Sequence, residues 1–173
     1  MTPIELKHYL VRGASTNGLA NALANGAICW WLVKDKGVVT WWGSSNFGGD
    51  LLVTGFVLPL IVALIVIPLH KNKVRTRTLP TIAVDIVPTW MTWFLGLPEN
   101  LWLRALLFGI VGVVVFALPT LGLLALYHVN TLTPLHYSVF KGVWAGTLAF
   151  VLVMPMTTLA LTTTRIESEI SHH

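Results

Sequence analysis

Four stretches of this chain carry no Asp, Glu, Lys or Arg, and they dominate what it can become: one runs from Arg12 to Lys34, one from Asp50 to Lys71, one from Arg104 to Lys141 and one from Lys141 to Arg165. The second reads "LLVTGFVLPLIVALIVIPL" and is apolar on every side, so no face of it suits water. A stretch of about 20 mostly apolar residues matches the hydrocarbon thickness of a bilayer. Only 10% of the 173 residues are charged and 55% are hydrophobic, against roughly a quarter charged in soluble domains. An integral membrane protein follows. The predicted spans are Ala14 to Val33, Leu51 to Leu69, Trp102 to Tyr127 and Tyr137 to Thr162. They make one all-α domain, a bundle of four transmembrane helices, with the lipid bilayer as its first partner.

The first helix is predicted to begin well before its apolar part. In "TPIE", Thr2 can cap, Pro3 suits the first helical position and Glu5 can close a capping box. The segment from 80 to 98, "PTIAVDIVPTWMTWFLGLP", is apolar but broken by Pro80, Pro88 and Pro98. It reads as an interfacial segment with Asp85 turned to water or a partner.

Orientation follows from the basic residues. Lys7, Arg12, Lys71, Lys73, Arg75, Arg77, Arg104 and Arg165 fall on one side of the predicted bundle, and Lys34, Lys36 and Lys141 on the other. Positive residues are retained in the cytoplasm, so both termini are expected there. The tryptophans agree, with Trp30, Trp31, Trp41, Trp42 and Trp144 at the outer boundary and Trp90, Trp93 and Trp102 at the inner one. The same charges are scattered through the connections and form no arginine-rich face, which excludes a nucleic-acid partner. The single cysteine, Cys29, allows no intrachain disulfide and reads as structural filler.

Within the first span, Asn17, Asn21 and Asn25 repeat every fourth residue and share a helix face. In lipid a carboxamide needs a partner. Two roles are open: hydrogen bonds across to neighbouring helices, or the lining of a polar route for a solute or ion. Beside them runs a row of small residues, Ala14, Gly18, Ala22 and Gly26, the spacing that lets two helix backbones approach closely.

At the start of the second span Asp50 is followed one turn later by Thr54. The carboxylate either caps its own helix or pairs with Lys141, which enters the fourth span at the same outer depth. Such a pair would be a clamp or a gate. His128 and His136 flank the outer turn between the last two spans; they are a candidate metal or pH-responsive pair, set against interface histidines bonded to backbone or head groups. With His8, His70, His128 and His136 all at bundle ends, haem ligation is disfavoured, and the sequence requires no cofactor. GxSxG, HExxH, P-loop and dinucleotide patterns are absent.

With "ANGAICWWLV" upstream and a basic run closing in "LP" downstream, "GDLLVTGFVLPLIVALIV" (Gly49 to Val66) resembles a loose family of small bacterial inner-membrane proteins with four helices, labelled hypothetical or permease-like. The resemblance covers about the first 80 residues. It implies a bacterial inner membrane and four spans, and it supplies no catalytic residue. Three functions are therefore expected in descending order. The first is a channel or transporter, as a homo-oligomer, with its polar route along the first-helix asparagines. The second is an accessory or assembly subunit that docks a larger membrane complex through the small-residue row. The third is a membrane-embedded metal-dependent enzyme using His128, His136 and Asp50.

Overall fold

Helix α1 (Pro3–Val33) starts at the capping box that its sequence implies: the Thr2 side chain accepts from Glu5 N–H, and Thr2 N–H donates to the Glu5 carboxylate at 2.7 Å. The computed structural model describes residues 1–43 and 45–162. Arg165, counted in the charge bias, lies outside them. Beyond α1 come a two-residue strand β1 (Val39–Thr40), α2 (Phe47–Arg75), a 3₁₀ turn (Val84–Ile86), α3 (Thr89–Leu95), α4 (Leu101–Leu126), β2 (Thr131–Leu132) and α5 (Pro134–Leu161).

The helix ends are written in local chemistry. Asn46, Asn100 and Thr133 cap α2, α4 and α5, each accepting backbone N–H groups of the first turn. Lys73 and Arg75 sit in the last turn of α2, where the helix dipole favours positive charge. The chain then reverses through Arg77 in the left-handed region (φ 55°), and His128 (φ 53°) does the same after α4. In α4 the α-helical pattern widens to a π-helix over Gly112–Ala117 just before Pro119. Proline has no N–H and its ring crowds the carbonyl four residues back, so the wider turn takes up the mismatch.

The long helices alternate in direction, but consecutive ones are not the main partners. Helix α1 lies along α5, α2 packs on both α5 and α4, and α1 hardly touches α2. Glycines make the two closest crossings. A Cβ on Gly146 would lie 2.7 Å from Ala22 Cβ and 2.8 Å from Gly18 O, and one on Gly142 would lie 2.8 Å from Ala22 O. The predicted row Ala14, Gly18, Ala22, Gly26 thus finds its partner on α5 of the same chain. In the other crossing, a Cβ on Gly55 would stand 2.9 Å from Ala117 Cβ.

Three of the helices, α2, α4 and α5, are long and apolar enough to cross a membrane. The fourth expected span, α1, is not among them. Helix α1 has the length, 31 residues, but its asparagines and small polar residues keep it outside that set. The outward faces suit lipid: Val53, Val57, Ile61, Ile65 and Leu69 form an exposed ridge on α2. The segment from 80 to 98 is folded back onto the helix ends, with Ile82, Val87 and Met91 buried against Leu6, Leu10 and Leu161. Its backbone is tied by Ile82 N–H to Leu161 O at 3.1 Å. Asp85 is exposed, and the seven residues of α3 are too few to span. This is the basic end of the molecule; the β1–β2 ribbon marks the other.

Candidate functional site

At the ribbon end, residues distant in sequence are locked together before any polar site is made. Strands β1 and β2 pair antiparallel, Val39 with Leu132 and Thr40 with Thr131. Trp41 Nε1 donates to Val129 O at 2.7 Å. Phe47, fully buried, packs on both Trp41 and Tyr137. The ribbon thereby fixes the start of α2 against the start of α5.

That docking brings Asp50 to Lys141. Helix α2 is capped by Asn46, whose Oδ1 accepts Gly49 N–H at 2.9 Å, so Asp50 does not serve as the cap and the capping alternative is set aside. Instead Lys141 Nζ lies 2.6 Å from each carboxylate oxygen. The Tyr137 hydroxyl donates to Oδ2, and Thr54 Oγ1 donates to Oδ1 at 3.4 Å. Tyr137 and Lys141 are one turn apart on α5, as Asp50 and Thr54 are on α2, so each helix presents two polar groups to the other. An unpaired charge here would face severe desolvation, which the pairing offsets. Lys141 is largely enclosed, its side chain 10% exposed, whereas Asp50 keeps 32%.

The exposed edge of Asp50 opens into a cleft of about 470 Å³ between the end of α1, the ribbon and the start of α2. Asp50, Lys141, Tyr137, Lys36, Asn46 and Cys29 supply its polar lining, and Leu32, Val33 and Val53 its apolar walls. A second cavity, of about 390 Å³ at the basic end, has Lys7 as its one charged lining residue and mostly apolar walls such as Leu6, Leu10 and Met91. Convergent polar groups in a concave site mark the first as the candidate.

The asparagines behave differently from either sequence expectation taken alone. Asn21 Nδ2 donates to Asn17 O at 2.9 Å and Asn25 Nδ2 to Asn21 O at 3.0 Å. The bonds stay within α1, and among the described residues the expected interhelical hydrogen bonds are not formed. The reason is geometric: α5 meets the neighbouring Gly18 and Ala22 so closely that no long polar side chain fits between the backbones. All three asparagines are half-buried, and the same every-fourth-residue row continues upward to Cys29 and Val33 on the cleft wall.

His128 and His136 are both exposed. His136 Nδ1 is engaged by the Thr133 hydroxyl at 2.9 Å, inside the α5 cap. Neither histidine has the other as a hydrogen-bond partner, and among the described residues no group of three or more His, Cys, Asp or Glu side chains is gathered to hold a metal. Tyr137, Cys29 and Lys36 are the site residues that sequence reasoning missed. Tyr137 had a readable signal, its one-turn spacing to Lys141, and so had Cys29, one turn beyond Asn25 on the asparagine row; Lys36 reaches the cleft only through tertiary packing.

Fold and site together define a helical membrane protein with a charged pair at one end of its bundle. No protein-family model, no curated protein and no solved structure matches the chain.

Proposed function

We propose that the chain crosses a bacterial inner membrane four times, α1 included, with both termini cytoplasmic, and acts as a channel or transporter-like homo-oligomer. The observation that carries this reading is the every-fourth-residue row of α1, in which Asn17, Asn21 and Asn25 are followed by Cys29 and Val33 on the wall of the Asp50–Lys141 cleft. A solute would enter at the outer cleft and pass Asn25, Asn21 and Asn17. Each amide that bonds its own helix keeps its Oδ1 and one N–H unused, so the row can serve donors and acceptors alike. Because α1 hardly touches α2, the groove between them needs a second copy to close it. Inclusion of α1 as a span is supported by its glycine-mediated contact with the spanning helix α5.

The accessory-subunit reading relied on the small-residue row as a docking face, and α5 covers that row; a partner would have to use another surface. Reconstitution in proteoliposomes tests the proposal. Solute flux in the parent that is abolished in Asn21→Leu, Asn25→Leu with the assembly intact supports it. Unchanged flux in that double variant overturns it.

A further inference from the structure

Hydrogen-bonding capacity decides what the ribbon-end cleft can hold. A carboxylate offers about four lone-pair positions, and those of Asp50 are taken by Lys141 at both oxygens, Tyr137 at Oδ2 and Thr54 at Oδ1. An incoming cation would have to displace Lys141. The unused capacity is of the opposite kind. Lys141 has three N–H donors; two point at Asp50, and Nζ meets no further acceptor among the described residues. Lys36 lines the same cleft and forms no ion pair among the described residues. The adjacent Asp35 is not part of the lining. Two ammonium groups against one saturated carboxylate leave the cleft with an excess of positive charge. It also opens at the N-terminal end of α2, where the helix dipole favours anions.

We infer that the cleft binds an anionic group of the phosphate type, held between Lys36 and the free donor of Lys141. This deepens the reading of the cleft as the polar site of the protein and rests on it. Leu32 and Val53 at the wall are exposed, so the same chemistry can be met by a lipid headgroup whose chains lie along α1 and α2, or by a free anion.

The test uses the full chain in phosphatidylcholine nanodiscs, with inorganic phosphate as one probe and phosphatidylglycerol, incorporated in the nanodisc, as the other. Binding is followed by thermal unfolding and by native mass spectrometry of retained lipid. Lys36→Gln leaves the Asp50–Lys141 pair in place and should weaken binding roughly tenfold, the loss expected for one charge-assisted hydrogen bond. Saturable phosphate binding that falls in Lys36→Gln supports the assignment with a free anion as ligand. Retention of phosphatidylglycerol over phosphatidylcholine that falls in Lys36→Gln supports it with a lipid headgroup. Affinity unchanged by Lys36→Gln for both probes, no binding of either, or binding of ethylammonium in their place overturns it. Lys36-dependent binding without flux keeps the anion site and removes the transport reading. Flux without anion binding does the reverse.

Discussion

Lys141 on α5 and Asp50 on α2, 91 positions apart, meet with Nζ 2.6 Å from both carboxylate oxygens, and this pair ties the second helix to the last at the ribbon end. Removing one partner leaves the other charge without compensation in a poorly solvated place. Because Asp50 is about one-third exposed, the loss is expected below the full value for a buried pair. Asp50→Asn or Lys141→Met should each destabilise by roughly 1–3 kcal/mol. The double variant should recover most of that. Thermal unfolding of the four proteins in one detergent measures it, and a double variant as unstable as the sum of the singles would contradict the pairing.

Gly146→Leu and Gly142→Leu should break the α1–α5 crossing, because even a Cβ at these positions overlaps α1 backbone. A loss of about 1–3 kcal/mol is expected from overpacking of this kind. Gly13 and Gly122 meet nothing within 4 Å, so Gly13→Ala and Gly122→Ala should be neutral or stabilise by up to about 1 kcal/mol. The contrast separates close approach from helix propensity, and thermal unfolding of the four variants in one detergent reads it.

Asn21→Leu and Asn25→Leu should change stability by less than about 1 kcal/mol, since each removes one hydrogen bond to the donor's own helix and exposes no new polar partner. A loss of several kcal/mol in either single variant would exceed what one membrane hydrogen bond supplies and would contradict this assignment.

Cysteines introduced at Lys36 and Arg77 in a Cys29→Ser background, which removes the native cysteine, should be labelled from opposite faces of a sealed vesicle. Labelling of both from one face would end the proposed topology. Moving lysines from the Lys71 to Arg77 run into the Lys34 to Gly43 loop should perturb insertion, as a charge-determined orientation requires.

The hydrogen bond from Thr2 N–H holds the Glu5 carboxyl below its ordinary value of 4.5, with the Thr2 side chain adding to the effect. Since the folded value is the lower one, this contribution to the α1 cap is complete above 4.5 and disappears as pH falls through the lowered value. The Thr2 amide resonance should follow that titration, and Glu5→Gln should abolish it.

Local and one-dimensional features were set by the sequence alone. The capping box at Thr2 and Glu5, the apolar stretches that become α2, α4 and α5, and the asymmetry of basic residues all depend on near neighbours or on simple composition, so they could be read along the chain. The Asp50–Lys141 pair was half legible, because two ionisable residues at equal depth in apolar helices have few partners to choose from. Which role Asp50 would take was not, since Asn46 and Asp50 both lie where a helix can be capped. Tertiary packing decided the rest. The order in which helices meet, α1 on α5 and α2 on α4, depends on which glycine surfaces fit closest, a matter of shape between segments far apart in the chain. That contact turned the small-residue row inward and left the asparagines bonded to their own helix. It also carried Cys29 and Lys36 to the wall of a cleft whose floor belongs to α2 and α5.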